Sequence, residues 1–487
     1  MKIRIQNLGV IKNADIDLKP LTIFVGPNNA GKTWLAYTLA GIFGEFGYKE
    51  YINVDMDTLL ASYPLLHDAV ERLLKNGSTS LDLTQFAKEY GTSYFTNVAQ
   101  HAKTWMPQFM STQRADFDNL DISLNSLAEK ESSFYSNILT VNLELDVPNK
   151  ENPLFSIRKN HGDNKLYAYT AVQTVFPGEA VVDEQEDKPL PLSLFRNLFV
   201  HWVFQLIHRS LYIKVDILPT ERTTIITFPF GKRKVEEVTI SNGSVPYQDK
   251  REIAMIEPVN SFLQMLAPTI LENRIATKRR QRAIKNEPSI KEYIQLARIL
   301  EKQILNGELS LPEPEATILG EARQADFDQR EILFKPNKKV ALDISVSSSM
   351  VKELSTLVLY LRYVAKANQL LVIDEPEMNL HPEAQVKMIE FLAMLVNAGL
   401  NILITTHSPY MLDHLANLIK AAQNENKESI RDKFYLKCTD AFIAKENVSV
   451  YLFNQGRVTN ALDDDGVIQW NTFGDVSDRI SEIYYQL

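Results

Sequence analysis

Three short stretches carry residues whose types and spacing suit chemistry on a phosphate. The first is Gly26-Pro27-Asn28-Asn29-Ala30-Gly31-Lys32-Thr33, which fits the pattern G-x-x-x-x-G-K-[ST] in full. Such a loop turns backbone N–H groups inward around an anion, and Gly26 and Gly31 permit that path. Asn28, Asn29 and Ala30 would line it. Lys32 would reach the β- and γ-phosphates of a nucleotide, and Thr33 would offer a hydroxyl to Mg²⁺. The second stretch, Leu370-Leu371-Val372-Ile373-Asp374-Glu375, is four apolar residues followed by two acids. Packing explains it poorly, because unpaired buried carboxylates are costly. Asp374 would bind Mg²⁺ directly or through water, and Glu375 would polarise an attacking water as general base. The third is Asn401 to Thr406, an apolar run that ends in His407-Ser408-Pro409. His407 is placed to sense the γ-phosphate. Together they call for ATP, Mg²⁺ and ATP hydrolysis.

The elements around these residues must bring them together. Ile3 and Ile5 alternate with polar neighbours, as do Ala14, Ile16 and Leu18, and Leu21 to Val25 is a short apolar run. All three read as strands, the last one buried. Lys32 to Phe43 reads as a helix whose positive end faces the phosphates. From Ser347 onward, Leu354, Leu357, Val358, Leu361 and Val364 follow helical spacing. Leu370 to Ile373 is a buried strand, Glu383 to Val396 a helix and Asn401 to Thr406 another strand. Strands alternating with a helix imply a parallel sheet and an α/β fold. Between these ends the reading is coarser. Leu59 to Leu74 and Leu81 to Lys103 read as helices. Ser133 to Leu145 and Lys165 to Val175 read as strands, with a polar segment at Asp183 to Lys188. Leu211 to Pro229 reads as two strands about a turn. Residues from about 251 to 310 read as a helical arm, short at roughly 1.5 Å per residue, without sustained heptads.

Composition narrows the classes. Fifty-two Lys and Arg against sixty-one Asp and Glu give a net charge of −9, which excludes a general nucleic-acid binder but not a local basic groove. The run Lys278-Arg279-Arg280-Gln281-Arg282 is either a solvated helix face or such a contact. One cysteine, Cys438, leaves no disulfide framework and no paired-cysteine zinc site. The most apolar stretch, Phe391 to Ile404, is broken by Asn397, Gly399 and Asn401 and is too short and polar to span a bilayer. The amino-terminus reads as a strand with no hydrophobic signal segment before it. The expectation is a cytoplasmic protein without a membrane partner. His381, in Asn379-Leu380-His381-Pro382, could serve a turn or catalysis equally.

These residues resemble the ABC ATPase superfamily, in particular its chromosome-maintenance, RecF-like and OLD-nuclease branch. Asp374-Glu375-Pro376-Glu377-Met378-Asn379-Leu380-His381-Pro382 looks like that branch's acidic motif and dimer loop, and Thr405-Thr406-His407-Ser408-Pro409 like its switch-histidine motif. Leu218-Pro219-Thr220-Glu221-Arg222 looks like an element of small bacterial members. The resemblance covers 1–45, about 210–230 and 340–415. It implies a P-loop NTPase of the ABC-type head class, with a mixed sheet, an antiparallel β-subdomain and a helical arm. The head would be discontinuous over 1–487, with core segments 1–45, 200–250 and 335–487, an α/β insertion at 46–200 and the arm at 251–334. It also implies a signature segment that caps the γ-phosphate bound to a second copy. Ser347-Ser348-Ser349-Met350-Val351-Lys352 occupies that place, with Ser348 or Ser349 as the contact or as a plain helix cap. Met350 stands where the family usually has Gly and would put a bulky side chain beside the nucleotide. The family's Mg²⁺-sensing glutamine is not placed; Arg222 would work near that position.

The mechanism so implied is a homodimer closed on two ATP molecules and released by hydrolysis. Three roles follow from it. In the first, the head regulates a separate effector, as in bacterial phage defence. Fewer than about 85 residues follow His407, too few for an OLD-type nuclease domain beside the head's own last elements. In the second, it clamps DNA, with the basic run as the motive. In the third, it is a single-chain nuclease using Asp463, Asp464 and Asp465, although Gly466 makes that run look like a turn. A transporter subunit is disfavoured by the roughly 320 residues between the phosphate loop and the signature segment.

Overall fold

The computed structural model describes residues 1–127, 130–148, 153–170, 192–227, 255–271, 273–311, 332–469, 479 and 481–485. Its centre is a nine-stranded mixed sheet. The strands are β1 (Lys2–Leu8), β2 (Ile11–Asp17), β3 (Leu21–Val25), β4 (Asp121–Ser126), β5 (Val215–Leu218), β6 (Leu370–Asp374), β7 (Asn401–Thr406), β8 (Val448–Asn454) and β9 (Arg457–Asn460), in the order β4-β1-β2-β9-β8-β3-β7-β6-β5. The run from β8 to β5 is parallel throughout. The β8–β9, β1–β2 and β1–β4 pairs are antiparallel. Strands β3, β6 and β7 are buried along their whole length, which is why they read as unbroken apolar runs.

The sheet separates two hydrophobic cores. Phe24, Leu370, Val372 and Leu403 face the first; Leu21, Ile23, Leu371, Ile373, Ile402 and Ile404 face the second. The principal helices are α1 (Lys32–Phe43), α2 (Leu83–Gln100), α3 (Leu192–Leu211), α4 (Arg222–Thr227), α5 (Glu257–Leu271), α6 (Asn273–Asn286), α7 (Ile290–Ile299), α8 (Ser349–Tyr363), α9 (Pro382–Asn397) and α10 (Pro409–Ala422). The first core holds α1, α2 and α3 with β1 and β2. The second holds α7 to α10. The helices of the segment expected to form an arm pack into this second core, where Phe262, Leu266, Tyr293, Leu296 and Leu300 are buried. Two smaller antiparallel sheets complete the described chain, one formed by Ser78–Asp82, Lys165–Thr170, Phe155–Lys159 and Leu143–Val147, the other by Glu308–Ser310, Leu333–Asn337 and Val340–Asp343.

Several expectations change. Ser133 to Leu145 is not a strand. It is a helix, Glu131–Thr140, followed by the strand Leu143–Val147. Phe134 and Ile138, four apart, are the residues this segment buries, and alternation begins only after them. Leu59 to Leu74 is two helices, Met56–Ala61 and Pro64–Asn76, because Pro64 cannot donate within a continuing helix. Within Leu81 to Lys103, α2 begins only at Leu83, capped by Asp82 through the Gln85 N–H. The second strand expected in Leu211 to Pro229 is instead α4 as far as it is described. The end of the strand expected at Lys165 to Val175, residues 171–175, and the polar segment 183–188 lie outside the described residues.

Candidate nucleotide site

The phosphate loop joins the end of β3 to α1. Gly26 has φ 148 and Gly31 φ 95, and Asn29 at φ 61 adopts the left-handed conformation that asparagine tolerates. A Cβ on Gly26 would lie 2.3 Å from the Phe453 carbonyl oxygen of β8, and one on Gly31 would lie 2.7 Å from Ile11. The loop therefore follows a path only glycine permits, pressed against β8 and β2. Helix α1 starts at Lys32 with no side-chain cap at Gly31, so its first N–H groups have no side-chain acceptor and suit an anion.

Strands β3 and β7 are neighbours, and β6 lies beside β7. Their C-terminal ends bring three distant stretches together. Thr33 Oγ1 lies 3.0 Å from Asp374 Oδ1 and 3.2 Å from Oδ2. Tyr37 OH donates to Asp374 Oδ2 at 3.3 Å, and Thr405 Oγ1 donates to Oδ1. Burial raises the Asp374 carboxyl above the ordinary carboxylate range, partly offset by the Thr405 and Thr33 hydroxyls. Lys32 Nζ donates to the carbonyls of Gly26 and Pro27 and lies 2.9 Å from His407 Nε2. Burial lowers its ammonium, against the pull of Glu375, Asp374 and Glu377.

Glu375 has φ 47, uncommon for a residue with a side chain. Its N–H donates to Thr405 O and Thr405 Oγ1, both at 3.1 Å. Its carboxylate lies 3.4 Å from His407 Nε2, and His407, with Lys32 behind it, holds that carboxyl below its ordinary value. Glu377 fixes the histidine's own backbone: its Oε1 accepts from Thr406 Oγ1 at 2.7 Å and from the His407 N–H at 2.6 Å.

A cavity of about 660 Å³ opens over this set. It is lined by Gly9, Val10, Asn28, Asn29, Ala30, Gly31, Lys32, Thr33, Trp34, Glu375 and His407. Gly26 and Asp374 form the floor beneath it through their bonds to Lys32 and Thr33. Gly9, Val10 and Trp34 were not singled out in the sequence. The Trp34 indole stacks on Phe117 with ring centroids 5.8 Å apart and abuts Gly9, whose Cβ would meet it at 3.1 Å. A glycine turn between two strands followed by an aromatic in the first turn of the phosphate-loop helix was the available signal. A nucleoside triphosphate fits these groups: N–H donors and Lys32 for the phosphates, an aromatic wall for a base. The Thr33 hydroxyl and the Asp374 carboxylate are hard oxygen donors close enough to share one divalent cation.

Other expected residues lie elsewhere. Ser348 caps α8, its Oγ accepting from the Val351 N–H at 3.4 Å. It and Ser349 are exposed and do not line the cavity. Met350, next in the first turn of α8, is partly buried against the second core. His381 caps α9 by accepting from the Glu383 N–H at 3.4 Å and is not among the cavity residues. Arg222 is buried behind the acids and also absent from the lining. Asp463 turns its carboxylate onto the N–H groups of Asp465 and Val467, and Gly466 follows at φ 83. Among the described residues no group of three or more His, Cys, Asp or Glu is arranged to hold a metal ion. Lys278, Arg279, Gln281 and Arg282 form a solvated face of α6, while Arg280 turns inward and donates to Leu361 O at 2.9 Å. Among the described residues no helix is long and apolar enough to cross a membrane.

A phosphate loop after a buried strand, with a histidine just past the adjoining strand β7 and an acid pair at the end of β6 beyond it, defines a P-loop ATPase of the α/β class. Residues 1–412 match the AAA ATPase domain family, and the chain belongs to it: it binds nucleotide and hydrolyses ATP. A stretch of 63 residues is 43% identical to the Old nuclease of Escherichia phage P2, covering 12% of this chain and 11% of that protein. Among solved structures it is similar to an Smc head bound to the C-winged helix domain of ScpA, with 11% identity, TM-score 0.35, and 94% of this chain and 96% of that one covered. It is also similar to the SMC head domain from Thermotoga maritima, with 10% identity, TM-score 0.31, and 94% and 97% covered.

Proposed function

We propose that this ATPase is an ABC-type head that works as a homodimer, two copies closing on two Mg²⁺–ATP molecules. The observation that carries the reading is the position of Ser348 and Ser349. They begin a helix and are exposed, yet they take no part in the cavity of their own chain. A hydroxyl and N–H groups at a helix start suit a phosphate brought by a second copy. Within each site Lys32 and the α1 N–H groups hold the phosphates, and Gly9, Val10 and Trp34 seat the base. Thr33 and Asp374 hold Mg²⁺, which when bound neutralises charge on the β- and γ-phosphates. Glu375 takes the proton of the attacking water, its lowered carboxyl being charged at neutral pH, and His407 stands beside the γ-phosphate. The closed pair, persisting until hydrolysis, is the signal that a separate effector reads, as in phage defence. The stretch shared with the phage P2 protein is 11% of that protein's length, so its nuclease activity is not carried over here.

The test is complementation. Lys32→Ala and the double change Ser348→Glu/Ser349→Glu should each be inactive alone. An equal mixture should recover hydrolysis, because one intact site forms between the two chains. A mixture as inactive as its parts would remove the two-copy site. Purification of the Glu375→Gln protein with ATP from its native operon should bring the effector with it; a homodimer and nothing else would remove the effector.

A further inference from the structure

Behind the acid pair lies an ion pair that the chemistry above does not use. Arg222 and Glu353 are each 2% exposed and joined directly, one on α4 and one on α8. The guanidinium grips backbone. Nη1 donates to the carbonyls of Pro219 at 2.8 Å and of Asp374, and Nη2 to that of Glu375 at 2.8 Å. These last two carbonyls belong to the residues expected to bind the metal and activate water. Glu353 is held from its other side by Thr223 Oγ1. It stands five residues beyond Ser348, on the helix whose start Ser348 caps.

We propose that Arg222 and Glu353 are positioning residues for hydrolysis: they clamp the Asp374–Glu375 turn and connect it to α8. Glu375 holds a left-handed backbone that its own side chain disfavours, so something must fix it, and two of the guanidinium's bonds end on that turn. A planar fork with five donors can bind several carbonyls and a carboxylate together; an ammonium cannot match that geometry. The connection to α8 has a further consequence that rests on the two-copy reading. A phosphate seated at the α8 start belongs to the other site of the dimer, so each site reports its occupancy to the other through Glu353 and Arg222. The clamp itself does not depend on that reading.

The experiment compares Arg222→Lys, Glu353→Gln and the double variant Arg222→Met/Glu353→Leu in the full chain. Buried ion pairs replaced together by apolar residues commonly fold as well as the parent, so a purely structural pair is dispensable. The clamp predicts ATP affinity within about threefold of wild type and kcat lower by about tenfold or more in all three. A folded double variant with wild-type kcat overturns it. The link between sites predicts turnover that is sigmoidal in ATP for wild type and hyperbolic for Glu353→Gln. A hyperbolic wild type removes the link and leaves the clamp. Failed complementation in the mixed-chain assay, with kcat still lost in these variants, removes the two-copy reading alone. Full turnover in Glu375→Gln overturns both the base and the clamp.

Discussion

Gly26 meets backbone rather than side chain, so nothing can rotate away to admit a methyl group. Gly26→Ala is expected to cost about 1–3 kcal/mol through its φ alone and to weaken nucleotide binding as the loop shifts from β8; a thermal melt with and without ATP measures both. Lys32→Ala should lose about 2–5 kcal/mol of ATP affinity, since a charge pairing with buried phosphate is removed, as read by calorimetric titration. Glu375→Gln should leave that affinity in place and slow single-turnover hydrolysis by about 10²–10⁴; equal rates would take the base role from it. At this scale the sequence is legible where function sits in contiguous residues. Lys32, Thr33, Asp374, Glu375 and His407 could all be nominated from short motifs, and Thr33 does lie beside Asp374. Arg222 acts on carbonyls about 150 positions away, and Glu353 is a buried acid whose neighbours one and two turns on, Leu357 and Tyr360, are buried too. Arg222 shows in the sequence only as the last residue of Leu218-Pro219-Thr220-Glu221-Arg222, which does not reveal this contact, and Glu353 leaves no local pattern.

Among elements, α1 and α3 are pinned by one imidazole. His208 on α3 is 2% exposed and lies 3.1 Å from both Tyr94 OH and the Gly44 carbonyl just past α1. A neutral ring satisfies both, donating to the carbonyl and accepting from the phenol. Burial pushes its pKa down to about 4, against about 6.5 in an unfolded chain. Between those values the unfolded state binds a proton that the native state refuses. Stability is therefore full above about pH 6.5 and falls as pH drops toward 4, by on the order of 3 kcal/mol. Denaturant melts across that range should show the slope, and His208→Gln should flatten it. The region between α1 and α3 was the hardest to read for a related reason. Its helices and strands share one core with β1 and β2, so their apolar faces answer to many partners. In Ser133 to Leu145 the spacing changes from four, at Phe134 and Ile138, to two, at Leu143 and Leu145, within a few residues. The strands β3, β6 and β7 were legible because burial on both faces makes them uniformly apolar.

For the whole molecule, the prediction concerns assembly. With ATP, Glu375→Gln should sediment as a dimer, and Ser348→Glu in that background should return it to monomer while ATP still binds. Dimers that form equally well without nucleotide would separate pairing from the site. The net charge of −9 also makes pairing of two copies repulsive at long range, so the ATP-dependent dimer should strengthen as salt is raised toward physiological levels.

Strand β3, which carries the phosphate loop, has β7 on one side and β8 on the other. Both partners begin some 380 to 430 residues later in the chain. During synthesis the nucleotide-gripping loop is thus made several hundred residues before either of its supporting strands and stays without them until both have emerged. Pairings of such long sequence separation are slow to find and expose sticky strand edges meanwhile. The nascent chain should be a client of holding chaperones, and ATP should do nothing to rescue fragments that stop short of Phe453.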